Sequence, residues 1–262
     1  MTSKLSRRTF LLQMLLTLSA CAAQENLFNQ QGQLVIGVIS YGQQKQAIER
    51  FAGLQKYLSE QLKIIVQIEP AFNERIAVER IKRNAWSLIF APPGLAALAI
   101  GSYKYSALLP LQLSTNSRSI IIVRQDSPFQ KLADLQNKTV ALGQKGSATG
   151  YYFPLFNLYG LTLTSILFAG TPKISLEWLS QGKADAAAIS VEEFNLHKSQ
   201  VKSVDFRILF TDSHRVPSGS VLITSNLDKN AANVIRDRMR NAPISIVQET
   251  KYIPNASPPD YR

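Results

Sequence analysis

Ser147 and Thr149 stand two residues apart between Gly146 and Gly150, just before Tyr151. The apolar run Thr139-Val140-Ala141-Leu142 precedes them and reads as a strand, and Tyr151 to Tyr159 reads as the start of a helix. A strand, a turn of small hydroxyl residues and a helix start place unpaired backbone N–H groups at the positive end of a helix dipole. That is a device for holding an anion. The same residues also make an ordinary helix N-cap, since Ser and Thr are favoured there with or without a ligand. Other chemistries find little support. No Gly-x-Ser-x-Gly elbow occurs, and the only cysteine is Cys21 and the only histidines are His197 and His214. A zinc or iron–sulfur site is therefore not expected, no cofactor is implied, and binding is favoured over catalysis.

The N-terminus reads as an address. Lys4, Arg7 and Arg8 precede an apolar stretch from Phe10 to Ala20, too short to span a bilayer as a mature helix, which closes on Leu18-Ser19-Ala20-Cys21. Ser6-Arg7-Arg8-Thr9-Phe10-Leu11 resembles a bacterial twin-arginine signal, and Leu18 to Cys21 resembles a lipobox, which implies lipidation of Cys21. Residues 1–21 are thus expected to be a lipoprotein signal, and the polar residues 22–33 a tether. A lone cysteine excludes an intramolecular disulfide. The net charge of +11 falls to +8 when residues 1–20, with three of the 29 cations, are removed. Such a surplus can steer anions, or serve anionic lipid or solubility alone. The basic residues are scattered, and an exported chain makes nucleic acid an unexpected partner.

The elements that must position the Ser147 loop follow an α/β rhythm, and 262 residues with 45% hydrophobic content suffice for one full core or two small ones. Leu34 to Ile39 is a continuous β-branched run, as for a parallel strand covered on both faces, and ends in Ser40-Tyr41-Gly42. An amphipathic helix to about Leu62, a strand at 64–68, a helix capped by Asn73 and a strand at 87–90 follow. Pro92-Pro93-Gly94 then opens a further helix. Strands at 106–113 and 120–123 flank a polar stretch, where the chain is expected to leave one lobe for another. The second block places a short helical turn at Asp134-Leu135, strands at 139–142, 167–169, 184–189 and 206–210, and a helix at 175–181. A return strand at 221–223 and a basic helix at 228–240 close the chain. The expected fold class is α/β with two lobes, 34–113 plus 220–262 and 118–216, and a hinge that opens and closes a cleft.

Gly182-Lys183-Ala184-Asp185-Ala186-Ala187-Ala188, with Asp134 to Val140 and Ser147-Ala148-Thr149-Gly150-Tyr151, resembles the phosphonate-, phosphite- and phosphate-binding branch of bacterial periplasmic solute-binding proteins of ABC transporters. The resemblance runs from about residue 34 to 262. It implies a type II two-lobed fold, a small oxyanion as ligand and an ABC permease in the inner membrane as partner; with the lipobox, the expectation is a monomer at the periplasmic face held to lipid through Cys21. Carried across position by position, Ser147, Thr149 and the backbone of Gly150 and Tyr151 match the oxyanion loop. Ser40 and Tyr41 match the loop after the first strand, and Ser190 and Glu192 an acceptor position at the end of a later one. Each has a plainer alternative: Glu192 as a helix-start carboxylate, Tyr41 as a packed aromatic. The chain also departs from the pattern. Ala148 stands where the family has a hydroxyl, Pro92-Pro93 where it offers an aromatic hydroxyl, and Lys173 follows where it often has a histidine. A sensor that reports to a membrane signalling protein, or an exported enzyme on the same fold, remains an alternative to transport.

Overall fold

The computed structural model describes residues 32–112, 118–201 and 203–261. Cys21, the export motifs and nearly all of the tether lie outside them, as do residues 113–117 of the first crossing. No helix of the described residues is long and apolar enough to cross a membrane.

Two five-stranded sheets form the two lobes. In the first, β1 (Gln33–Ile39) lies between β2 (Ile65–Ala71) and β3 (Leu88–Ala91), parallel to both. The buried run Leu34, Ile36 and Val38 explains this central place. The sheet continues through β10 (Ser220–Thr224) to β4 (Tyr105–Pro110), with β10 antiparallel to each neighbour. The second sheet has the order β7-β6-β8-β5-β9. Its strands are β5 (Ser119–Arg124), β6 (Thr139–Leu142), β7 (Ser165–Phe168), β8 (Ala186–Ser190) and β9 (Phe206–Thr211). The two orders are the same if β10 and β5 are equated as the strands that return antiparallel after a crossing.

Helices cover both faces of each sheet. On one face of the first sheet, α1 (Gln44–Leu62) and α7 (Lys229–Arg240) pack Phe51, Leu54, Leu58, Ile235 and Met239 onto Leu34, Ile36 and Phe90. On the other, α2 (Glu74–Lys82) and α3 (Pro93–Ser102) bury Ala77, Ile81, Leu95 and Ala99 around Trp86. In the second lobe, α5 (Pro172–Ser180) and α6 (Val191–His197) pack on one face of the sheet, and α4 (Phe153–Asn157) with a 3-10 turn (Leu132–Leu135) on the other. A last helix, α8 (Ile244–Thr250), is not marked by the sequence pattern. It starts after Pro243 and adds Ile246 and Val247 to the first core.

The chain crosses between lobes after β4 and after β9, and the crossings are tied to each other at both ends. Leu111 N–H donates to Gly219 O at 2.9 Å, and Asp212 N–H to Ser119 O at 2.9 Å. Two connections tied to each other at both ends leave one soft direction of motion, a hinge. The lobes themselves are stiff. At Gly37 on β1, an added Cβ would lie 2.0 Å from the ring of fully buried Trp86. Replacing Gly37 with Ala is expected to cost about 3 kcal/mol, as overpacking at a site with no room to relax does. Urea unfolding reads this as a lower midpoint at unchanged slope; a loss below about 1 kcal/mol would show that Trp86 moves aside.

Candidate functional site

The loop after β6 is built from backbone hydrogen bonds. Ser147 Oγ accepts from Gly150 N–H at 3.0 Å. The Ser147 carbonyl accepts from both Tyr151 N–H, at 3.2 Å, and Tyr152 N–H, at 3.1 Å, so the chain opens in a π turn (Ala148–Tyr152) before tightening into α4. The helix therefore begins three residues before the expected Tyr151 and ends at Asn157, short of Tyr159. Glycine and hydroxyl spacing announces a helix start without showing that its first turn is widened. Behind the loop, Gly143 N–H donates to Gly150 O at 2.8 Å and Ser119 Oγ to Thr149 O at 2.6 Å.

The first lobe meets this loop directly. A Cβ on Gly94, in the first turn of α3, would lie 2.5 Å from Ala148 N and 2.6 Å from Gly146 O. Only glycine allows that backbone approach. At the start of α2, Arg75 N–H donates across the lobes to Gln144 Oε1 at 3.0 Å. Asn73 caps α2 by accepting from Ile76 N–H at 3.1 Å, which makes Glu74 its first residue.

Glu74 is the most unusual group here. It is 4% exposed, and Tyr41 Oη donates to its Oε1 at 2.5 Å. Tyr41 is held at φ 45°, in the left-handed region that a non-glycine residue occupies at a cost of about 1–2 kcal/mol. Burial pushes the Glu74 carboxyl up to about 7, against the bonds from Tyr41 and its own backbone N–H, with the Glu193 charge adding to the rise. Burial also raises Glu193, against the hydrogen bonds from Ser190, and raises Tyr41 well above the ordinary phenol value, with Glu74 and Glu193 reinforcing the effect. Glu193 and Ser190 form a capping box at the start of α6: Ser190 N–H donates to Glu193 Oε2 at 3.0 Å, and Glu193 N–H to Ser190 Oγ at 3.1 Å.

Between the lobes these residues enclose a cavity of about 20 Å³, lined by Glu74, Gln144, Ser147, Thr171, Ser175 and Glu193 among others. That is room for little more than one water, so any solute enters through an opened cleft. Among the described residues lining it there is no lysine, arginine or histidine. Two carboxyls and several hydroxyls can accept and donate hydrogen bonds, but at about 4 kcal/mol for like charges 4 Å apart they disfavour a fully ionised anion beside an ionised Glu74. In its protonated form Glu74 becomes a donor instead.

The residues singled out from the sequence divide. Ser147 and Gly150 line the cavity, and Tyr41 reaches it through Glu74. Thr149 is buried with the loop. Ser40 Oγ donates to Ala71 O at 2.9 Å and closes β1 onto β2. Ser190 caps α6, and Glu193 rather than Glu192 is the α6 carboxyl in the lining. Tyr151 turns outward to Phe168, with ring centroids 5.9 Å apart. Lys173 pairs with Glu177 at 3.8 Å on the surface of α5. Of the residues not anticipated, Glu193 carries a signal in the Ser-x-x-Glu capping pattern from Ser190. Glu74 carries none, because an acid at a helix start ordinarily complements the dipole.

A titration follows from Glu74. Its folded value lies above the unfolded one, so its contribution to stability is fully present below pH 4.5 and is lost as pH rises through about 7. At about 1.4 kcal/mol per tenfold change in proton affinity, the loss is about 3 kcal/mol. Denaturant unfolding at pH 5 and pH 8 should show it in the native chain and show most of it removed in Glu74→Gln. Equal pH dependence in both proteins would place the proton elsewhere.

A sequence profile described as the ABC-transporter phosphonate periplasmic substrate-binding protein matches residues 36–251. No curated protein matches the sequence. Among solved structures, PhnD1 from Prochlorococcus marinus in complex with methylphosphonate is 19% identical, with a TM-score of 0.68 over 86% of this chain and 93% of that one. A binding-protein component of an ABC phosphonate transporter from Pseudomonas aeruginosa is 14% identical, with a TM-score of 0.68 over 85% of this chain and 80% of its own. A Xanthomonas citri protein bound to ATP is 19% identical, with a TM-score of 0.68 over 84% and 89%. At these identities the solved structures establish the two-lobed type II fold.

Proposed function

The chain belongs to the phosphonate family of periplasmic ABC-transporter substrate-binding proteins, and from that premise we propose that it is a lipid-anchored receptor for a small phosphorus oxyanion of the phosphonate, phosphite or phosphate class. In this reading Cys21 is acylated, residues 22–33 tether the domain, and the monomer hands its solute to an ABC permease in the inner membrane. The lobes open at the paired crossings, admit the solute to the loop at Ser147, and close until Gly94 rests on the loop backbone.

The observation that carries this reading is the Ser147 turn: a hydroxyl and a helix start, positioned by one lobe and covered by the other, in a polar interlobe cavity. Ser147 Oγ already accepts from Gly150 N–H, which orients its own O–H to donate to a ligand. Neutral donors suit a closed cleft, since a buried ion pair carries a desolvation cost. The buried acids then require that a solute oxygen meet a protonated Glu74, or that a protonated solute oxygen donate to Glu193. Transport is favoured over catalysis by the make-up of the lining. The Asp212–His214 pair, bonded at 2.7 Å, packs against Phe153 on the second lobe and is not part of it.

Thermal unfolding of a form beginning after Cys21 tests the proposal against phosphate, phosphite, methylphosphonate, 2-aminoethylphosphonate, sulfate and taurine. A phosphorus oxyanion at a thousand times its Kd should add about 4 kcal/mol to the folded state and raise the midpoint. The double substitution Ser147→Ala, Thr149→Ala should abolish that shift while the unliganded protein still folds, its midpoint lowered by about the 1 kcal/mol that the loss of a helix cap costs. A shift with sulfate or taurine alone, or an unchanged shift in the double variant, would overturn the assignment.

A further inference from the structure

The loop between the lobes has a second, outer side. Gln144, which lines the inner cavity, also lines a groove of about 360 Å³ whose other lining residues are all different from the cavity's. One wall is α2 in the first lobe, with the buried Val78 at its base and Lys82 at its edge. The other is Lys145, Tyr151 and Phe168 in the second lobe. The Tyr151 and Phe168 rings lie at 38° to each other, and Phe168 is 51% exposed although it ends a strand. A large aromatic left half in water beside a second ring is surface that burial by a ligand would stabilise.

The charge around these rings is net positive. Arg75 is paired with Glu79 at 3.0 Å, the one acid in the groove. Lys82 and Lys145 are exposed and take part in none of the ion pairs found among the described residues. Two aromatic faces flanked by two cations suit a planar ring that carries an anionic group. The volume lies at the lower end of that usual for small-molecule sites.

We propose that this groove is a second binding site, separate from the cleft, for an aromatic ring that carries an anionic group: the ring lies against Tyr151 and Phe168, and the acid group meets Lys82 and Lys145. Its walls belong to different lobes, so an occupant binds the closed arrangement better than an open one and favours it by linkage. This gives Tyr151, which faces away from the cleft, a place in recognition. The site does not depend on which solute the cleft takes.

Phenylphosphonate is the probe, titrated calorimetrically into the full-length chain in detergent, with and without methylphosphonate in large molar excess. Binding should persist in the presence of methylphosphonate, fall at least about tenfold in Lys145→Glu and in Phe168→Ala, and be weaker still for cyclohexylphosphonate, which keeps the acid and loses the ring. Both substituted residues are exposed, so the folded state should be retained, and a native circular-dichroism melt checks it. Displacement of phenylphosphonate by methylphosphonate would assign the probe to the cleft and overturn the second site. So would absence of binding, or binding unchanged in both variants. If methylphosphonate itself fails to bind, the cleft assignment fails while the two variants still decide the groove.

Discussion

The closed arrangement rests on a contact between two backbones. Gly94 in the first turn of α3 lies so close to Gly146, Ser147 and Ala148 that no side chain could intervene. Apolar side chains yield when compressed, whereas peptide groups at van der Waals distance do not, so this contact sets how far the lobes can close. Everything in the cleft is measured from that stop. It brings Arg75 within a hydrogen bond of Gln144, puts Glu74 under Gly146, and reduces the inner cavity at the Ser147 loop to about 20 Å³.

The same stop accounts for the electrostatics. Glu74 begins a well-capped helix and would be an ordinary solvated acid if the second lobe were withdrawn. Closure covers it with the Gly146 loop and adds the Glu193 carboxyl of the second lobe to the Tyr41 hydroxyl that its own lobe supplies. A carboxyl deprived of water without a cation keeps its proton. Closing the lobes and taking up a proton are therefore linked, and a solute that supplies or accepts a hydrogen bond at Glu74 shifts both together. The strained Tyr41 backbone is part of this arrangement, since its φ of 45° aims the phenol from the β1 loop toward α2.

The fold was largely legible in the sequence because its strands are buried runs bounded by turns. Leu34 to Ile39, Ile120 to Val123 and Ala184 to Ile189 read as strands and fall within two residues of β1, β5 and β8. The short helices α6 and α8 were less legible. Neither has enough turns for a periodic pattern, and both are fixed by packing onto an existing core. Within the site, the Ser147 turn could be seen because glycine and hydroxyl spacing is a local signal. Glu74 could not, because the Gly146 loop that covers it lies more than 60 residues away in sequence. Tyr151 shows the converse: its motif is local, but the π turn it lies in depends on two amide groups sharing one carbonyl, and its ring packs beside Phe168.

The most direct test of the account is the distance between lobes. Spin labels placed by Lys56→Cys on α1 and Lys183→Cys after α5, both exposed positions, report it once Cys21 is replaced. Adding methylphosphonate should shift the distance distribution to a single shorter value in the protein with native Gly94. With Gly94→Ala the distribution should stay at the open value, because the new Cβ would meet the loop backbone at 2.5 Å. Equal closure in both proteins would show that the backbone contact does not set the closed state, and would contradict the account at its centre.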